Sequence, residues 1–216
     1  METTLNNSFN EAQLKWHANM DLAFGPSALE YFPLIQPGSL KTYADGSCAS
    51  GLLDSNGNLT QFGEWATSVN KQVAAIDDIL LNATHEGFMA VGDSSYATTI
   101  ARNSIESIVM KTGGWLSSAS TTFNNTFYEG TYETASVTSS NTEYGAFAGC
   151  FEITAGEYSG KHAMYIVNYS DASDNTVTVN LGDAVTSTTI YQGVEAEHTG
   201  TFNMTFAAGE AVLVVY

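Results

Sequence analysis

Side chains that could bind a polar ligand or transfer a proton lie close together in one apolar stretch, ALEYFPLIQP, at residues 28–37. Glu30 is the only carboxylate in this stretch, and burial would raise its pKa as a general acid requires. Tyr31 and Phe32 are flat rings that can stack on the apolar face of a sugar, and Gln36 can hydrogen-bond sugar hydroxyls. In the competing interpretation, Glu30 pairs with a buried donor and alternate residues of the stretch pack under neighbouring helices.

A helix precedes this stretch. Ser8 and Glu11 form a capping-box pattern, and Gly25 followed by Pro26 is a strong stop signal. Between them, apolar residues recur at a spacing of three to four, which predicts one buried face. That face consists of Phe9, Ala12, Trp16, Met20 and Ala23.

The stretch itself predicts a strand over residues 28–35, with Pro33 marking a sheet edge or the end of its pairing. A turn at residues 54–58 follows, and Thr60 is placed to cap a second helix. The buried stripe predicted for this second helix is Phe62, Trp65, Ala66, Val69, Val73, Ile76 and Leu80.

After residue 84 the apolar period changes from 3.6 to 2, which predicts an antiparallel β-sandwich. In NTVTVNL, Val177 and Val179 point to one face and the threonines to the other, whereas EAVLVVY is apolar on both faces. Such a strand is central or is covered by the helical segment. Residues 97–111 fit either a strand pair or a short helix. We therefore predict an α+β chain with a first segment at 1–83 and an all-β domain at 84–216.

Residues 28–83 resemble the last unit of a (β/α)8-barrel glycoside hydrolase of the β-galactosidase-like or cellulase-like kind. The phrases EYFPLIQP and GLLDSNGNLTQFGEWATSVN carry this resemblance. The later phrases KHAMYIVNYS, NTVTVNLG and AAGEAVLVVY resemble the C-terminal sandwich that follows many such barrels. The resemblance implies a helix-strand-helix remnant of a barrel followed by an antiparallel β-sandwich, with Tyr31, Phe32 and Gln36 near a sugar.

The same resemblance limits the expected activity. A barrel of this kind needs about 250 residues, and the chain has 216. The resemblance also implies that the catalytic carboxylate pair lies on earlier strands. We expect the C-terminal portion of a carbohydrate-degrading enzyme, inactive alone. The alternatives are a non-catalytic glycan-binding or assembly module, and an active glycosidase whose site is completed by self-association through exposed helical faces.

Charge and composition narrow the partners. Six basic residues against 23 acidic ones give a formal charge of −17, which repels nucleic acid and anionic membranes. A surface rich in Ser, Thr, Asn and Gly resembles that of secreted bacterial carbohydrate-active proteins, so we expect an extracellular or cell-surface location.

Metal and cofactor signatures are missing from the sequence. The four histidines, His17, His85, His162 and His198, are far apart and have no zinc spacing, and no nucleotide or nucleophilic-serine motif occurs. We expect no cofactor. Trp115, Tyr128 and Tyr132 could lie on sugar-binding loops or fill the core. Cys48 and Cys150 could form a disulfide or remain two separate thiols.

Overall fold

The computed structural model describes residues 10–31, 34, 51–91, 131–132, 135–140 and 145–216. These residues form three helices, α1 at Glu11–Ala23, α2 at Gln61–Val73 and α3 at Asp77–Leu81, and a set of antiparallel strands. The α+β class predicted from the sequence is confirmed. No helix within the described ranges is long and apolar enough to cross a membrane.

The N-cap of helix α1 lies two residues after the predicted one. The Asn10 side chain accepts a hydrogen bond from the Gln13 backbone N–H, and the Gln13 side chain bonds back to the Asn10 N–H. The capping box is therefore Asn10 and Gln13 rather than Ser8 and Glu11, and Ser8 lies outside the described residues. The predicted stop is confirmed, because Gly25 has a φ of +68° and its N–H bonds to the Leu22 carbonyl at 2.9 Å.

The second predicted helix is interrupted. Its start is confirmed, because the Thr60 hydroxyl accepts a hydrogen bond from Gly63 N at 3.1 Å. The turn before it is also confirmed, with Asp54 accepting from the backbone N–H groups of Asn56 and Asn58. However, α2 ends at Val73, a turn follows, and α3 begins at Asp77 instead of one helix continuing to Leu80.

The strand predicted over residues 28–35 is not formed where the structure describes it. Residues 28–31 are irregular and belong to no sheet. The Leu34 carbonyl accepts one backbone hydrogen bond, from Leu53 N at 2.8 Å. Pro33, inside the predicted strand, lacks an N–H, so a regular ladder would lose a donor there.

The strands form two sheets. A six-stranded sheet has the order β1-β4-β5-β10-β7-β8, and a four-stranded sheet has the order β2-β3-β6-β9, with antiparallel pairing throughout. The strands are β1 Ala83–Val91, β2 Thr131–Tyr132, β3 Ala135–Ser139, β4 Ala146–Ile153, β5 His162–Asn168, β6 Asn175–Asn180, β7 Thr186–Tyr191, β8 Val194–Thr199, β9 Thr201–Phe206 and β10 Ala211–Val215.

Apolar side chains cover both faces of the six-stranded sheet. Val212 and Val214 of β10 point towards the four-stranded sheet, whereas Leu213 and Val215 point to the opposite face. All four are fully buried. The predicted two-faced burial of β10 is confirmed, and the molecule has three layers: helices, six-stranded sheet and four-stranded sheet.

Helices α1 and α3 and the turn before α3 cover the outer face of the large sheet. Leu22 and Ala23 of α1 and Ile76 before α3 share a core with Phe147 and Phe151 of β4. Leu14 and Ala18, on the other side of α1, pack against Ala66 and Val69 of α2. The predicted single stripe on α1 is therefore wrong, since the helix is packed on two opposite sides.

Candidate functional site

A groove of about 350 Å³ lies between α1 and the irregular segment that follows it. Its wall combines apolar side chains with ionisable ones. The lining residues that the structure describes are Leu14, His17, Ala18, Asp21, Phe24, Pro26, Ala28, Leu29, Glu30 and Tyr31. The groove therefore contains two of the four residues singled out from the sequence, Glu30 and Tyr31.

Helix geometry places His17 and Asp21 side by side in this groove. They are one turn apart, on the side of α1 that also carries Leu14 and Ala18. The opposite side of α1 is docked on the sheet, where Asn19 is 1% exposed. The two groove residues therefore project from a helix that is held on its other side.

Four polar contacts fix the docked side of α1. The Asn19 amide donates to the Gly209 carbonyl at 2.8 Å, and its oxygen accepts from the Tyr165 hydroxyl at 2.7 Å. The Trp16 indole donates to the Tyr169 carbonyl at 3.0 Å. The Lys15 ammonium pairs with the buried Glu210 carboxylate at 3.0 Å.

The ionisation of Asp21 is shifted by its place in the groove wall. Desolvation raises the pKa of its carboxyl, and the positive charge that His17 can carry opposes the shift. Asp21 thus holds a proton more readily than a free aspartate. Sequence reasoning missed both residues, although their four-residue spacing on α1, off the predicted stripe, was a signal.

Two aromatic rings are part of the groove. Tyr31 donates its hydroxyl to the Asn70 side-chain oxygen at 3.1 Å, and its ring meets Phe62 edge to face. Burial raises the pKa of Tyr31, so its hydroxyl stays protonated. Phe24 is 37% exposed and rests on Phe147 and Phe88. Tyr31 therefore contacts α2 and lines the groove at once.

The remaining sequence predictions for this site have mixed outcomes. Glu30 is exposed, so the burial expected for it is wrong. Phe32 and Gln36 lie outside the described residues. Asp21 and Glu30 line the same groove, so two carboxylates face one cavity.

A second polar cluster joins β1, β2 and β5. Tyr132 of β2 donates its hydroxyl to Glu86, in the β1 bulge, and lies 3.1 Å from His162 Nδ1 of β5. The Tyr132 hydroxyl has one hydrogen. When it donates that hydrogen to an ionised Glu86, its contact with His162 is a hydrogen bond only if Nδ1 carries a proton and donates it to the hydroxyl oxygen. Burial and the Glu86 carboxylate raise the pKa of Tyr132 far above its usual range. Tyr132 is 6% exposed and is not a loop platform for sugars.

The cysteine and metal predictions concern other parts of the chain. Cys150 is a free, buried thiol whose pKa is raised by burial, and Cys48 lies outside the described residues, as do Trp115 and Tyr128. Among the described residues, no three His, Cys, Asp or Glu side chains are grouped as a metal site would require.

Comparison with known proteins provides no further assignment. No protein-family model, curated protein or solved structure matches this chain.

Proposed function

We propose that this chain is a glycan-binding, non-hydrolytic portion of a glycoside-hydrolase-type protein and acts outside the cell. The observation that carries the proposal is the groove beside α1, where the rings of Phe24 and Tyr31 lie with Asp21, Glu30 and His17. Its volume of about 350 Å³ is within the ordinary range for small-ligand sites.

A saccharide suits this mixture of side chains. Each sugar ring presents hydroxyls at its edge and C–H groups on its face, so a binding site needs flat apolar surface next to hydrogen-bonding groups. The carboxylates of Asp21 and Glu30 accept hydrogen bonds from hydroxyls, and Phe24 supplies exposed ring surface. The resemblance of residues 28–83 to a glycosidase unit points to the same ligand class.

Glycan binding can be tested with isothermal calorimetry on a panel of neutral, acidic and amine-bearing oligosaccharides. We expect binding that falls at least tenfold in Phe24→Ala and Tyr31→Ala. Tyr158→Ala is the matched control, because this tyrosine does not line the groove. If no member of the panel binds, or if the groove variants bind as well as the parent chain, the proposal is wrong.

Hydrolysis is a second candidate because Asp21 and Glu30 line one groove and the pKa of Asp21 is raised. Glycosidases use two carboxylates, of which one keeps its proton and acts as the acid. Turnover of nitrophenyl glycosides, with the oligomeric state measured by light scattering, would support this candidate if Asp21→Asn and Glu30→Gln each abolish it. If no sample shows turnover, the hydrolysis candidate is wrong and glycan binding remains the proposed function.

A further inference from the structure

The acidic groups of the groove face no lysine or arginine among the described lining residues. Asp21 and Glu30 are carboxylates, and none of the lining residues that the structure describes is a lysine or arginine. Among these described residues, His17 is the one side chain that can become cationic.

Two of the described lysines are engaged elsewhere. Lys15 is on α1, yet its ammonium lies 3.0 Å from Glu210 and 3.2 Å from Glu11, on the docked side of the helix. Lys161 lies over the ring of Tyr158, in the connection between β4 and β5. None of the three described lysines, Lys15, Lys71 and Lys161, lines the groove, so Asp21 and Glu30 have no lysine or arginine partner among the described groove residues.

We infer that the glycan taken by this groove carries free amines, as a glucosamine oligosaccharide does. This inference rests on the proposed function and specifies its ligand. An ammonium group donates three hydrogen bonds, which suits acceptors such as the carboxylates of Asp21 and Glu30. The ring faces of Phe24 and Tyr31 attract a cation through their quadrupoles. A uronic or sulfated sugar would place negative charge beside both carboxylates.

Long-range electrostatics favour the same ligand. The formal charge of the chain is −17, and a field of this sign raises the local concentration of a polycation and lowers that of a polyanion. The attraction falls as salt screens it, over a Debye length of about 10 Å at 0.1 M ionic strength.

The test compares a glucosamine oligosaccharide with its N-acetylated counterpart of equal length, at a pH where the amine is protonated. Calorimetry should show the amine form binding about tenfold tighter, because charge-assisted hydrogen bonds at an open site are worth little more than this. The ratio should shrink with added salt. Asp21→Asn combined with Glu30→Gln should bring it near one.

A matched control separates local from long-range charge. Glu157→Gln together with Asp183→Asn removes two exposed carboxylates that do not line the groove, and should keep most of the preference. Circular dichroism checks that every variant is folded. If the N-acetylated sugar binds as well as the amine form or better, the inference is wrong and the proposed function stands. If neither sugar nor any other glycan binds, both fail.

Discussion

Replacement of Gly149 by alanine should displace α1 from the large sheet. A Cβ atom at this position of β4 would lie 2.1 Å from the Ala23 carbonyl oxygen and 2.9 Å from its Cα. Both are backbone atoms at the end of α1, so no side-chain rotation can relieve the overlap. The end of the helix would have to move by roughly 1 Å or more to restore van der Waals contact.

Two opposing effects determine how much Gly149→Ala changes the free energy of unfolding. Glycine to alanine lowers the entropy of the unfolded chain and stabilises a protein by about 0.4–1 kcal/mol where the folded state accepts the methyl group. Overpacking costs about 1–3 kcal/mol, and here the obstacle is backbone. We expect a net loss of about 2 kcal/mol in the free energy of unfolding.

Urea denaturation followed by circular dichroism would measure this loss, with tryptophan fluorescence reporting the environment of Trp16, which bonds to the Tyr169 carbonyl. The control is Gly160→Ala, where no atom lies within 4 Å of the new Cβ but φ is +83°. It should cost about 1 kcal/mol and leave the fluorescence unchanged. An unaltered or raised stability of Gly149→Ala would refute the close contact between α1 and β4.

Three further perturbations test the docking of α1. Burial lowers the pKa of His85 to about 4, so the unfolded state takes up the proton first as pH falls below 6.5. The contribution of His85 to stability should be constant well above that pH and should drop towards pH 4 by about 2 kcal/mol after allowance for partial exposure. His85→Gln retains a donor for the Ala23 carbonyl, and its free energy of unfolding, measured by urea denaturation, should change less between these two pH values than that of the parent chain. An equal change in both proteins would contradict this. Tyr165→Phe removes the donor to the buried Asn19 oxygen and should lower the free energy of unfolding by about 1–2 kcal/mol in the same assay. An unchanged free energy would mean that water replaces the hydroxyl. Lys15→Met leaves Glu210 buried without its cation and should lower the free energy of unfolding by about 2 kcal/mol. This is less than the usual loss of about 3–5 kcal/mol for a broken buried ion pair, because Tyr191 and Gln192 still donate to the carboxylate. A melting temperature equal to that of the parent chain would show that these two hydrogen bonds suffice.

Much of the sheet could be predicted because the order of apolar and polar residues in each strand reflects which of its faces is buried. Val177 and Val179 are fully buried, whereas the Thr176 and Thr178 hydroxyls bond to Thr205 and Asn203 of β9 on the outer face. A strand with one wet face must alternate, so this burial could be read from the sequence. The position of β10 could also be inferred, because a strand that is apolar on both faces needs a cover on each.

Strand β8 could not be found in this way. It is an edge strand whose side chains are almost all exposed, and Glu195 and Glu197 interrupt any apolar alternation. Its pairing with β7 depends on the tight turn at Gln192 and Gly193, both with positive φ, rather than on burial. Charged residues on an edge strand discourage pairing with other chains. They also remove the apolar alternation by which a strand is predicted from its sequence.

The groove was missed for a related reason. Periodicity identifies the buried side of a helix when there is one, but α1 packs against α2 on one side and the sheet on the other. Its apolar residues are therefore spread around the helix, and the short exposed strip with His17 and Asp21 is not visible as a polar face.

The double packing of α1 has a consequence for the site it carries. Its position is set by backbone contact at Gly149 and Gly209, by buried polar bonds at Asn19 and by the ion pair of Lys15. Side chains on an element held in this way lose little further freedom when a ligand binds, which reduces the entropic cost of association. Asp21 should therefore contribute to binding through a position that exists before the ligand arrives. A variant that loosens α1, such as Gly149→Ala, should weaken glycan binding although no groove residue is changed.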